Sequence, residues 1–459
     1  MASEGLSEGS AAAAGSAGAE AGDEAGAEAG DEAGADSAAP SDEPESADPH
    51  PVSSRAPQLT AVTMVVLMRM VIVSSGQEPP DDDHLDSSPC LRRPLSSRHP
   101  YDDAVTTFRI GDRRVGPDQP TYFIADIAAN HDGDLERAKL LMTLAKEAGA
   151  DCAKFQHFRA EHIVSDYGFK ALGGQQSHQA SWQKSVFETY QDASLPWEWT
   201  KPLAEHAKAI GIEFMSAPYD LEAVAHLDPY VNAFKVGSGD VNWLEELQVI
   251  ADLGKPVLIA TGAADLDDVT RAMALLQSAG VDIVLMQCNT NYTGTIENAH
   301  HANLRVISQY AEMYPNVTLG LSDHTPGHVT VLGAVALGAR VVEKHVTDDT
   351  SRVGPDHGFS MDPNTWRAMV DATRLLESAL GDGRKKVEEN EQETVVLQRR
   401  CVRAARELPA GTTITRDDLV VLRPAPRDAL AAHELDAVVG RTLSIDLVTG
   451  EDVKRSHLS

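Results

Sequence analysis

An α/β fold with eight strand–helix units, a (β/α)8 barrel, is what this sequence predicts. From Thr121 to about Leu380 short apolar runs alternate with amphipathic stretches, the pattern of repeated βα units over a parallel sheet. Eight units in about 260 residues match the usual size of a closed barrel. The runner-up is an open doubly wound sheet, but no GxGxxG follows the first strand run.

The strand runs are YFIADI (Tyr122 to Ile127), DCAKFQ (Asp151 to Gln156), IEFMS (Ile212 to Ser216), AFKV (Ala233 to Val236), PVLIA (Pro256 to Ala260), DIVLMQ (Asp282 to Gln287), VTLGLS (Val317 to Ser322) and RVVEKH (Arg340 to His345). Between them lie helical patterns such as LERAKLLMTLAKEAG and LDDVTRAMALLQSAG, stopped at Gly149 and Gly280. The barrel domain is assigned to residues 99–380. A polar, charged stretch follows (381–398), read as a linker or exposed helix. Residues 399–459 then change character, with short β-type runs (CVRAAREL, LVVLRP, TLSIDLV) punctuated by Pro and Gly. This is a small β-rich domain, which buries little surface alone and is expected to dock on the barrel or on a second subunit.

The first 98 residues are of another kind. Up to about Gln58 the chain is Ala, Gly, Ser, Glu and Asp, with thirteen acidic residues against Arg55 alone. Such a stretch cannot bury enough apolar surface to offset chain entropy, so disorder is expected. The run Ala61 to Val73 is shorter than the roughly 20 residues a membrane span needs, and Arg69 interrupts it. An acidic stretch precedes it where a signal peptide would be basic. The segment reads as a tail, with Met64, Met68 or Met70 as alternative starts. The formal net charge of -31 argues against nucleic acid or anionic membrane as a partner, since both need a basic face. Four scattered cysteines, Cys90, Cys152, Cys288 and Cys401, form no CxxC pair and suggest a reducing, cytoplasmic compartment.

A barrel of this kind places its active site at the C-terminal ends of the strands. Those ends are polar here. The first gives Asp126 and AANHDG; the second Lys154 and Gln156; the third Ser216; the fourth KVGSGD with Lys235, Ser238 and Asp240. The sixth leads to Tyr292, the seventh to Ser322 and His324, the eighth to Glu343 and His345. Asp132 is read as a cap of the helix that starts near Asp134, the ordinary use of Asp there, and Asn130 as either cap or site residue. Lys154 and Lys235 sit inside apolar strands, where a cation needs a partner; an anionic ligand is the natural one. His324 and His345 end consecutive strands, roughly 4.8 Å apart, so two imidazoles can converge on one ion. Only two protein ligands are evident, which suits a hydrated divalent ion better than closed structural zinc.

The motifs DIAANHDGDLERAK, AGADCAKFQ, FMSAPYD, FKVGSGD, ATG, GLSDHT, EKHVT and RVGPDHGFSM occur in order. Together they resemble the N-acetylneuraminate (sialic acid) synthases and their legionaminate and pseudaminate relatives. The C-terminal segment resembles the antifreeze-like SAF domain that follows their barrel. The resemblance covers about Pro120 to Leu458. It implies a cytoplasmic transferase that condenses phosphoenolpyruvate with an open-chain N-acyl amino sugar, releasing phosphate with C–O cleavage. It also implies a domain-swapped homodimer. His324 and His345 then correspond to the ligands of a divalent metal, Mn2+ first and Mg2+ or Co2+ as alternatives. Lys154, Lys235, Ser238, Ser216 and Ser322 correspond to the phosphoenolpyruvate set, and Gln156, Tyr292 and Asp356 to residues facing the sugar. Arg423, in VLRP, resembles the arginine that a partner subunit offers to the N-acetyl group. Asp126, Asp240 and Lys154 are the catalytic candidates.

The sequence departs from the family pattern in places. Asp126 and Asp240 stand where Glu is usual, which withdraws each carboxylate by about one C–C bond, ~1.5 Å. After the sixth strand CNTNYTG lacks the usual proline. These changes lie beside the sugar site, so an acceptor other than plain N-acetylmannosamine is expected. Two rival readings are a 3-deoxy sugar acid synthase that uses phosphoenolpyruvate with a different aldehyde, and a non-catalytic carbohydrate-binding relative.

Overall fold

The computed structural model describes residues 107–175 and 177–459. The acidic tail, the Ala61 to Val73 run, Cys90 and the alternative starts lie outside them.

The described chain opens with a hairpin that the strand count did not include, β1 (Phe108–Ile110) paired with β2 (Arg113–Val115). The signal was local. Gly111 at the turn has φ +56°, and its missing Cβ leaves room for the Glu213 carboxylate. Phe108, Ile110 and Val115 pack with Tyr122, Ile124, Cys152, Leu258 and Val341, and so plug one end of the barrel interior.

Eight parallel strands follow: β3 (Tyr122–Asp126), β4 (Cys152–His157), β5 (Glu213–Pro218), β6 (Phe234–Val236), β7 (Val257–Ala260), β8 (Ile283–Cys288), β9 (Thr318–Asp323) and β10 (Val341–His345). Each falls within a residue or two of the run that the sequence marked. Their ladders run in the order β5-β4-β3-β10-β9-β8-β7-β6, and β5 also packs beside β6, which closes the ring. The first and last strands pair as consecutive members of the ring, so residues far apart in sequence meet at one level. His345 is level with Asp126, and Asp126 with Lys154.

Side-chain alternation divides each strand between two cores. Phe123, Phe155, Phe214, Ile259 and Leu285 face outward and meet the helices, while Tyr122, Ile124, Met215, Leu258 and Met286 fill the interior. Both faces are apolar along most of their length, as a parallel sheet covered on both sides demands. The interior's fully buried charged groups, Asp126, Lys154, Lys235 and Glu343, gather toward the C-terminal ends.

Helix Leu135–Glu147 is capped by Asp134, whose side chain accepts from the Glu136 and Arg137 amides. Asp132, expected in that role, has φ +52° and stands outside the helix, where its carboxylate is free to take long-range partners. Helix Leu266–Ala279 carries an Asp265/Asp268 capping box and stops at Gly280, φ +72°, as the sequence indicated. The 381–398 stretch contains an exposed α-helix, Gln392–Gln398, preceded by a short 3-10 helix, Glu389–Glu391.

The C-terminal domain has its own core of Val402, Leu408, Ile414, Leu443 and Val453 among others. Only two of its three β-type runs become paired strands, β11 (Cys401–Ala404) and β12 (Leu419–Leu422). TLSIDLV contributes single bridges instead, Leu443 to Leu458 and Leu447 to Leu408, because the chain folds back around short loops.

Candidate active site

The polar layer at the C-terminal end of the barrel is built around two buried carboxylates. Asp126 Oδ2 accepts from Lys154 Nζ at 2.6 Å and from Gln156 Nε2 at 3.0 Å, and lies 3.5 Å from His345 Nε2. Its Oδ1 accepts from the Ala128 amide. Glu343 Oε1 accepts from Ser322 Oγ at 3.1 Å and lies 3.3 Å from Lys235 Nζ. Neither lysine is therefore unpaired, as the strands alone suggested. The partners come from neighbouring and opposite strands, a pairing that sequence cannot display. Burying either charge without such a partner would cost several kcal/mol.

The imidazoles form a second group. His324 and His345 have ring centroids 5.5 Å apart, and Phe359 packs on His345 at 4.8 Å. His324 Nδ1 lies 3.1 Å from the Asn289 carbonyl, and a donor role there leaves Nε2 with its lone pair. His345 Nδ1 is buried without a hydrogen-bond partner. Burial and the neighbouring His324 hold the His345 pKa well below its ordinary value, so it is neutral and able to ligate. No group of three or more His, Cys, Asp or Glu among the described residues is arranged to hold a metal. Burial opposes, but the Cys288 side chain and the Asn289 backbone prevail and raise the His324 pKa, so His324 must give up its proton to ligate. His345 is already neutral with an orphaned ring nitrogen. With the His324 proton lost, the pair fits an open site whose remaining positions belong to water and substrate.

Asp240 follows β6 in the short helix Ser238–Asp240. Its Oδ2 is buried and unpartnered, and burial pushes its pKa up to about 6 against the lowering pull of Lys235. A Cβ at Gly237 would come 3.2 Å from Asp240 Oδ2 and 3.3 Å from the Tyr219 hydroxyl, so a larger residue there would push both side chains by a few tenths of an ångström. Ser238 Oγ accepts from the Gly262 amide at 3.0 Å. Asp356 accepts from the Ala129 amide, and burial raises its pKa to about 6.

Asp132 ties together the loops that frame this group. Its carboxylate meets His357 Nε2 at 2.9 Å, Arg352 at 2.7 Å and Arg137 at 3.1 Å. Asn130, the other candidate cap, instead donates to the Val346 carbonyl and to Ser360 Oγ. Both residues thus pin the 351–361 loop, which carries Asp356 and Phe359, to the loop after β3. Above them opens a cavity of ≈ 1140 Å³ lined by Tyr292, Phe359, His178, Trp182, Arg352 and others.

Two candidates do not join this assembly. Ser216 lies two residues from Phe214 on the outward face of β5, where its hydroxyl meets His157 Nδ1 at 2.7 Å. Arg423 is exposed beyond β12 on the small domain and does not line the cavity. Sequence reasoning also missed residues. Glu246 is buried with both oxygens unpartnered, and burial with Asp240 and Asp220 pushes its pKa up to about 8. Its spacing gave a signal, since it lies four residues before buried Ile250 on one helix face. Lys344, the lysine of EKH, faces outward and pairs with Asp323 at 2.6 Å.

A closed ring of eight parallel strands with ion-paired lysines, two facing imidazoles and a perturbed carboxylate at its C-terminal mouth defines a barrel enzyme. Residues 141–385 match the NeuB family and residues 399–459 the SAF domain. The chain belongs to the NeuB family of synthases. It is 35% identical over 349 residues to the N,N'-diacetyllegionaminic acid synthase of Legionella pneumophila, spanning 75% of this chain and 96% of that protein. It is 36% identical over 316 residues to the N-acetylneuraminate-9-phosphate synthase of Mus musculus, spanning 69% and 86%. The solved N-acetylneuraminic acid synthetase of Leptospira borgpetersenii superposes with a TM-score of 0.57 at 26% identity, over 64% of this chain and 96% of that one. No helix among the described residues is long and apolar enough to cross a membrane.

Proposed function

We propose that this enzyme condenses phosphoenolpyruvate with an open-chain N-acyl amino sugar to give a nonulosonic acid and phosphate. The observation that carries the reading is the convergence of Lys154, Lys235, His324 and His345, from four strand ends, on one buried polar layer. Lys154 and Lys235, with Ser238 and Ser322, hold the donor's carboxylate and phosphate. Gln156, Tyr292 and Asp356 face the sugar, and Arg423 reaches it from the second subunit of a homodimer.

The charges weigh in favour of a metal. Two lysines already balance Asp126 and Glu343, so an incoming phosphoenolpyruvate adds negative charge that a divalent ion beside it would offset. His324 and His345 would hold that ion, which when bound supplies Lewis-acid polarisation of the acceptor aldehyde. The lysines fix the donor so that its C3 faces the aldehyde carbon, and the C3–C bond forms there. Water then adds at C2 and phosphate departs as the C2–O bond breaks. Asp126 has both oxygens engaged and acts as a fixed counter-ion to Lys154, whereas Asp240 Oδ2 is unpartnered and takes the proton from that water. Ser216, facing outward, is left out of the donor set.

His324→Ala should lose roughly 10³-fold or more in kcat/KM and its response to added Mn2+, while keeping the wild-type circular dichroism spectrum. Coupled detection of phosphate release with a panel of N-acyl hexosamines measures this. Undiminished turnover in that variant would overturn the site assignment.

A further inference from the structure

We propose that the buried Asp323–Lys344 ion pair, on the far side of the barrel wall from the site, is the positioning device that holds His324 and His345 in the arrangement that takes a divalent ion. The inference rests on the metal reading above and deepens it.

Each charged residue immediately precedes one of the two histidines. Asp323 and Lys344 are Cα partners in the β9–β10 ladder, and Lys344 Nζ donates to Asp323 Oδ2 at 2.6 Å. Successive side chains along a strand point to opposite faces, so fastening this pair outside the barrel fixes the level at which the next two residues enter it. The fastening extends around His324. Lys344 Nζ also donates to the Thr325 carbonyl at 2.6 Å. The Asp323 carboxylate accepts from the Thr325 amide at 3.2 Å, from the Thr325 hydroxyl at 3.0 Å, and from Thr330 in helix Val329–Ala336 at 2.7 Å. Both neighbours of His324 are thereby tied to β10. Asp323, Thr325, Thr330 and Lys344 are all buried, and none of them lines the cavity above the site, so their influence passes through the histidines they flank.

Two observations give the pair this part. A ligating histidine ordinarily donates its second ring N–H to a carboxylate or carbonyl, which fixes the ring. His345 Nδ1 has no such partner, so its orientation falls to the backbone that carries it and to the Phe359 ring at 4.8 Å. A buried ion pair, moreover, adds little stability over an apolar pair of the same size, because removing both charges from water offsets their attraction. What it adds is a single register. Lys344 reaches Asp323 Oδ2 and the Thr325 carbonyl together only when the ends of β9 and β10 are level, and the 5.5 Å between the imidazoles depends on that level.

The test is Mn2+ affinity of the full-length protein at pH 8, read from the electron paramagnetic resonance signal of free Mn2+. Asp323→Asn combined with Lys344→Met removes both charges at once, so neither is left buried alone, and Asn keeps an acceptor for the Thr325 amide. Affinity should fall roughly 10- to 100-fold, the usual effect of losing groups that orient metal ligands. The circular dichroism spectrum should stay that of the wild type. Should the double variant not fold, Thr330→Val takes one donor from Asp323 without unpairing a charge, and its affinity should fall roughly threefold or more. Wild-type affinity in a folded double variant, or in Thr330→Val, would overturn the proposal and leave the metal site standing. A wild-type protein that binds no Mn2+ would remove both, while phosphate release from phosphoenolpyruvate and an amino sugar would still decide the synthase reading.

Discussion

Glu246 and Asp240 show how burial turns an ordinary carboxyl into a pH-sensitive group. Glu246 is 1% exposed, has no hydrogen-bond partner for either oxygen, and faces Asp240 and Asp220 rather than a cation. Its folded pKa of about 8 lies above the ordinary 4.5, so the folded state favours the protonated form. Stability is unpenalised below pH 4.5, falls as pH rises from there to 8, and is constant above. Glu246→Gln should therefore stabilise the protein at pH 7 by up to roughly 3 kcal/mol and change little at pH 4.5. Urea unfolding at several pH values checks this; an equal gain at both would remove the titration argument. Asp240, pushed up to about 6, must be ionised to accept a proton. The kcat/KM profile, which reports the free enzyme, should show an acid limb near pH 6 that Asp240→Asn abolishes along with most of the rate.

At the scale of elements, the site depends on loops fastened to one another across the barrel mouth. Asp132 holds Arg352 and fully buried His357 from the loop after β10, and Arg137 from the first helix, which also pairs with Asp348 at 2.6 Å. That junction sets the positions of Asp356 and Phe359. Asp132→Ala leaves His357 Nε2 without its acceptor, at a cost of about 1–3 kcal/mol. Loosening the loop should lower kcat by roughly 10²-fold, because small misplacements of positioning groups are costly. Asp132→Asn, which keeps an acceptor oxygen, should recover part of both losses. Denaturation midpoints and steady-state rates measure the two effects; loss of stability with unchanged kcat would confine Asp132 to a structural part.

For the whole molecule, the question is what the C-terminal domain does at a site that its own Arg423 does not line. Its separate core and exposed Arg423 suit a domain that serves a second copy. Mixing His324→Ala with Arg423→Ala protein should then regain activity that neither has alone. Random reassortment makes half the dimers mixed, each with one intact site, so the ceiling is roughly a quarter of the wild-type rate. Phosphate release after co-refolding reads it, and no recovery, in a mixture shown by sedimentation to exchange subunits, would rule out the crossed arrangement.

The sequence by itself determined the order and type of elements. Short continuous apolar runs and glycine stops are local properties of the chain, and all eight barrel strands followed from them. It also determined which strand ends are polar, since Asp126, Lys154, Lys235, His324 and His345 each stand out within their own segment. Only the tertiary structure decided the partners. Closure of the ring put β10 beside β3, which set His345 level with Asp126, and brought Glu343 to Lys235. It turned Ser216 outward and released Asp132 from its expected cap to hold a distant loop. These choices depend on register and on contacts between residues up to 225 positions apart, and a periodicity read over a dozen residues contains neither.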